Sequence, residues 1–167
     1  MIKISQRLSD DHHAVDEVLK QLRTALDTRD VQTSNSKLDL LWARLAVHIR
    51  AEHLHLFPAV TESDSSEAQS VIDHLRADHD FFMHELARAM SILRELSDES
   101  DLTAVGDIVR EVEKRLATHN DIEENHIYRL AGTMLTKPKQ IELATRVNAE
   151  LENRPPRFSP EAWANND

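Results

Sequence analysis

His48-Ile-Arg-Ala-Glu52-His-Leu-His55-Leu-Phe-Pro58 and His119-Asn-Asp-Ile-Glu123-Glu-Asn-His126-Ile-Tyr-Arg129 are two versions of one pattern. Each sets a histidine four residues before a glutamate. On a helix that spacing puts both side chains on one face, a turn apart. Each is preceded by a second shared pattern, Leu8-x-x-Asp11-His12 in one case and Leu75-x-x-Asp78-His79 in the other. The order His, then His-x-x-x-Glu, then the same again marks an internal duplication with a period of roughly 70 residues, far longer than a solenoid repeat. It reads as two helical hairpins that share one metal site.

The 167 residues suffice for one domain with a real core. Only 2 Gly and 5 Pro interrupt the chain. Apolar residues recur at threes and fours rather than alternating, which is an all-α signature. The absence of cysteine removes disulfides, thiolate metal ligands and a cysteine nucleophile. A net charge of −10 argues against nucleic acid, whose phosphates call for a basic surface. No apolar run is long enough to span a membrane, and Met-Ile-Lys-Ile-Ser-Gln-Arg lacks the apolar core of a signal peptide. The expectation is a cytoplasmic protein with neither nucleic acid nor membrane as partner.

Taken in order, helix 1 is expected over residues 3–28, with the seam Ile4, Leu8, His12, Val15, Leu19, Leu22, Leu26. Residues 29–36 read as a polar loop in which Ser34 or Ser36 caps the next helix. Helix 2 then runs to about Thr61 with the seam Leu38, Leu41, Leu45, His48, Glu52 and His55 or Leu56, and Pro58 kinks or stops it. Helix 3 covers residues 66–96, with His79 in its seam. Helix 4 covers residues 102–134, with His119, Glu123 and Ile127 in its seam. Short links between four long helices predict an up-down-up-down four-helix bundle over residues 1–135. Residues 136–167 are expected to add a C-terminal helix, starting at Pro138, and an extended proline-rich tail packed on the bundle. The tail's Phe158 and Trp163, together with the fifth helix, are placed to cap the bundle or to support a homodimer.

Six ionisable residues fall in the core seams: His12, His48, Glu52, His79, His119 and Glu123. Burying such groups is costly unless they are paired or bind metal. Counted at 1.5 Å per residue, His12 and His48 lie about 21 and 18 Å from the first interhelix turn, and His79 and His119 about 27 and 26 Å from the last. All six therefore belong to one slab. Nitrogen and oxygen donors without thiolate suit Fe, Mn or Zn, and glutamates from opposed helices can bridge two ions. His55 and His126 stand seven residues past the seam histidines in both repeats. They are candidates for further ligands, or for outer groups and a proton route. His53, His74 and His84 lie off the seams and are expected to face solvent. His13 and Glu17 share the spacing but read as a surface helix pair.

Asp11-His12, His48-x-x-x-Glu52 leading into Leu56-Phe57-Pro58, Asp78-His79 and His119-x-x-x-Glu123-Glu124 together resemble the hemerythrin-like, or HHE cation-binding, domain, from about Leu8 to Ala131. The resemblance implies a four-helix bundle holding a non-haem di-iron centre. His12 and His48 would serve one iron and His79 and His119 the other, with Glu52 and Glu123 bridging. Two departures stand out. Oxygen-carrying hemerythrins have a further histidine one turn after the helix-3 ligand, where this chain has Met83. The second motif has Ile127-Tyr128-Arg129 in place of Leu-Phe-Pro.

The functional expectation is a di-iron protein that binds or senses a small diatomic ligand, oxygen or nitric oxide, or iron itself. The alternative is a di-iron enzyme acting on oxygen, peroxide or nitric oxide, or repairing iron–sulfur clusters. Repair proteins of this kind commonly carry an additional cysteine-bearing segment, and this chain has no cysteine.

Overall fold

A computed structural model describes residues 3–62, 66–96 and 99–153. These fold into helices, with no strand among the described residues. They are α1 (Ile4–Asp27), α2 (Val31–Ala51), α3 (Phe57–Thr61), α4 (Ser66–Arg94), α5 (Glu99–Ile122), α6 (Tyr128–Met134) and α7 (Lys137–Glu152). A single π turn, Glu52–Leu56, joins α2 to α3, and a second, Glu123–Ile127, joins α5 to α6. The tail residues Phe158 and Trp163 lie outside the described residues.

The first link is shorter than the polar composition of residues 29–36 suggests. α1 ends in a Schellman motif: Arg29 takes φ 58°, its N–H donates to the Leu26 carbonyl, and the N–H of Asp30 donates to that of Ala25. Asp30, not Ser34 or Ser36, then caps α2 by accepting from the N–H of Thr33 at 3.0 Å. Ser34 is buried inside the helix. The Thr-Ser-Asn cluster reads as loop because those residues favour turns, but an aspartate just ahead of them starts the helix early. Measured from this tighter turn, His12 and His48 stand about 23 and 26 Å away, so their heights still agree.

α1 packs against α2 and α5, and α4 packs against the same two helices. The pairs His12–Glu124 and Arg23–Glu113 show α1 and α5 running in opposite senses. α7 lies across the end of the bundle that carries the π turns. It is tied to α1 by the Arg7–Asn148 hydrogen bond at 2.8 Å and to α2 by the Arg50–Glu150 ion pair.

The apolar core falls into two parts. One, near α7, is built on Leu8, Leu56, Phe57, Leu75, Ile127, Val147 and Leu151. The other, toward the first link, is built on Leu19, Leu22, Leu38, Leu41, Phe82, Leu86 and Val112. A slab of buried ionisable side chains separates them. The two apolar parts carry the stability. Truncating Leu22, fully buried in the second, to alanine is expected to cost about 2–5 kcal/mol in urea denaturation through lost transfer energy and an unfilled cavity.

Candidate metal centre

The structure brings together all six seam residues that the sequence singles out. His12, His48, His79, His119, Glu52 and Glu123 are all buried, the two glutamates completely. Their reactive atoms converge. His12 Nε2 and His48 Nε2 are 3.2 Å apart, and His79 Nε2 and His119 Nε2 are 3.0 Å apart. Glu52 lies between these pairs, with Oε1 3.3 Å from His48 and Oε2 3.4 Å from His79. Glu123 does the same from the other side, with Oε2 3.2 Å from His12 and Oε1 2.9 Å from His119. Two donor clusters result, His12–His48–Glu123 and His79–His119–Glu123, and each glutamate turns one oxygen toward each histidine pair.

The hemerythrin HHE cation-binding domain model matches residues 3–131. The chain belongs to that family. Neither the curated proteins nor the solved structures compared with it match.

In this hemerythrin-family chain each of the four histidines has an outer partner at Nδ1. His48 Nδ1 donates to Asp11 Oδ2 at 3.0 Å, and Arg44 donates to the other Asp11 oxygen. His119 Nδ1 donates to Asp78 Oδ2 at 3.2 Å, and Arg115 donates to the other Asp78 oxygen. His12 Nδ1 donates to Glu124 at 2.9 Å. His79 Nδ1 lies 2.8 Å from His53 Nε2. The carboxylates behind His12, His48 and His119 fix those ring tautomers and make the inner nitrogen a better ligand.

The residues fit a cation. Glu52 Oε2 and Glu123 Oε1 are buried with no hydrogen-bond partner. With the His119 ring proton held at Nδ1 by Asp78, the Nε2 atom facing Glu123 Oε1 offers a lone pair, not an N–H group. Lone pairs converging on a carboxylate need a positive charge between them. A proton can supply it in the metal-free molecule. Burial disfavours charge on His48 and His119, but Glu52 and Asp11 in one case, and Glu123, Glu52 and Asp78 in the other, outweigh it and raise both histidines above their ordinary value. Burial likewise opposes ionisation of Glu123, yet His119, His12 and His79 hold its carboxyl well below the usual range. Asp11 is held low against its own burial by His48 and Arg44.

The remaining histidines separate cleanly. His55 faces α7, with Nε2 3.6 Å from Glu150, and His126 is exposed, so neither joins the slab. His74, His84, His13 and Glu17 are exposed, as expected. His53 corrects the expectation. It is half-buried, its ring is 5.0 Å from that of His79, and Arg76 approaches its Nδ1 at 3.4 Å.

Tyr128 is the inner residue that seam counting passes over. Its oxygen lies 2.8 Å from Glu52 Oε1, 3.1 Å from Glu123 Oε2 and 3.0 Å from His12 Nε2, and its one proton can serve one of them at a time. Burial first, then the two glutamates, raise the phenol well above its ordinary value and keep it neutral. A regular helix would turn Ile127 toward Glu123. The π turn instead closes on the N–H of Tyr128 bonding to the Glu123 carbonyl, which brings the fifth residue onto the glutamate's face. The first π turn brings Phe57 round in the same way, stacked 6.0 Å from the His79 ring.

These charges predict opposite pH dependences for the two forms. In chelator-treated protein, Glu123 contributes stability above its unfolded value and loses it as pH falls through its depressed folded value. His48 and His119 contribute below their unfolded value and lose it as pH rises through their raised folded values. Stability of the metal-free form is therefore expected to be greatest between about pH 5 and 6.5, set by the ordinary carboxyl and imidazole values. Metal must displace the imidazole protons, so apparent affinity should rise with pH through neutrality. Denaturation curves and metal titrations across this range measure both.

Proposed function

We propose that the protein holds a pair of first-row metal ions, iron foremost with zinc or manganese as alternatives, and uses them to bind or sense oxygen, nitric oxide or iron itself. The observation that carries this reading is the pair of completely buried glutamates whose unpartnered oxygens face imidazole nitrogens. In it, His12 and His48 serve one ion, His79 and His119 the other, and Glu52 and Glu123 span both, within an up-down-up-down bundle. The His-x-x-x-Glu order differs from the Glu-x-x-His of ferritin-like bundles.

When bound, an iron pair supplies Lewis acidity, one-electron redox change and exchangeable positions for a small ligand. The chain supplies selection. On the side away from Tyr128, a cavity of about 10 Å³ touches His12, His48, His79 and His119 and is walled by Val15, Leu45, Phe82 and Leu116. Space of that order suits one small molecule, and the apolar wall holds water back. Met83, where oxygen carriers have a further histidine, is half-buried and packs with the second core. A second reading, an enzyme acting on oxygen, peroxide or nitric oxide, draws support from Tyr128, which holds a neutral O–H among the inner oxygens.

Metal analysis of freshly purified protein, with visible spectra before and after anaerobic reduction and air exposure, tests the proposal. About two irons per chain, with charge-transfer bands that respond to reduction and to air, are expected. Loss of both irons in Glu52→Ala is expected as well. Wild-type protein that binds no metal, and whose stability ignores chelator and iron alike, would refute the assignment. Catalytic turnover of peroxide or nitric oxide would favour the enzyme reading.

A further inference from the structure

The internal duplication allows each half of the centre to serve as a control for the other. The Asp11–Arg44 pair behind His48 repeats as Asp78–Arg115 behind His119, so these contacts do not distinguish the halves. Two other places do. The residue after one bridging glutamate is Glu124, and the residue after the other is His53. The residue brought round by one π turn is Tyr128, and by the other Phe57.

We propose that the two ion positions are unequal, and that the one between His12 and His48 fills first and holds its ion more tightly. This rests on the two-ion reading above. His12 donates from Nδ1 to a carboxylate, Glu124, at 2.9 Å. That charge increases the electron density at Nε2 and adds a negative charge near the ion.

The His79 side has no such carboxylate, and His53 stands in its place. For His79 Nε2 to present a lone pair, its proton must sit at Nδ1 and be donated to His53 Nε2, 2.8 Å away. The single proton of neutral His53 is then at Nδ1, where it meets the Arg76 guanidinium at 3.4 Å, donor against donor. The opposite tautomer satisfies Arg76 but returns the proton to His79 Nε2 and blocks the ligand. Arg76 also brings a positive charge toward this side, lying 5.5 Å from the centre of the Phe57 ring. In direct contact at the outer nitrogens, one half thus has a carboxylate on its ligand histidine, and the other has a histidine that itself meets a guanidinium.

Cobalt(II) titration of the metal-free 167-residue chain, followed by visible absorption and calorimetry without oxygen, tests the inequality. Two steps are expected, the first tighter by about tenfold or more, the usual scale of outer-partner effects. Repulsion between the ions would also separate two steps, so the decisive result is which histidines hold the first ion. His119→Ala should keep the tight step and lose the weak one. His48→Ala should lose the tight step. Glu124→Gln, at a side chain 41 % exposed and so suited to substitution without disturbing the fold, should weaken the tight step by about tenfold. His53→Glu, which gives His79 an acceptor and Arg76 an ion partner, should strengthen the weak step. A tight step that survives His48→Ala and disappears in His119→Ala overturns the proposal, as does a titration unmoved by both Glu124→Gln and His53→Glu. Wild-type protein that takes up no cobalt at all overturns the two-ion reading itself.

Discussion

Glu52 and Glu123 are fully withdrawn from water, and each keeps a carboxylate oxygen without a hydrogen-bond partner. An ionised carboxylate in such a place costs on the order of several kcal/mol unless opposite charge meets it. Much of the fold can be read as the consequence of that debt. Four imidazoles surround the two carboxylates, each ring is met from behind, and arginines oppose the aspartates behind His48 and His119. The apolar core is displaced to either side of the slab, and the two parts together must stabilise what the polar middle destabilises.

The π turns belong to the same logic. A π turn is less favourable than a regular turn and is kept where it redirects a side chain. Both begin at the buried glutamates, at the same place in the two repeats. Each rotates an aromatic ring under a histidine: Phe57 under His79 and Tyr128 under His12. Pro58 follows the first of these turns and sits at the start of α3, where a missing N–H is cheapest.

The helices and the six inner residues were legible because they obey a regular period. His12, His48, His79 and His119 sit on the same three-and-four stripes as the leucines around them, and a stripe is a statement about one face. What escaped reading breaks that period or depends on distance in space. Tyr128 escaped because one residue of π geometry shifts the face, and no propensity marks that shift. His53 escaped because it lies off its own helix's stripe and reaches a histidine on α4. Asp11 and Asp78 were visible as a repeated residue before each seam histidine, yet their partners, His48 and His119, stand on the next helix in the chain. The α2 start was misplaced because Ser and Thr favour loops on average, while Asp30 decided the local outcome.

The inner contacts cross between the repeats. Glu52, from the first hairpin, reaches His79 of the second, and Glu123, from the second, reaches His12 of the first. Neither hairpin contains a closed set of partners for its own glutamate. Each can gather its local helix contacts early in folding, since those are near in sequence, but the slab exists only once the hairpins dock. The centre is thus a quaternary-like joint inside one chain. Whatever positive charge occupies it acts as a fastener between two half-molecules, and docking order, not helix formation, governs when the site comes into being.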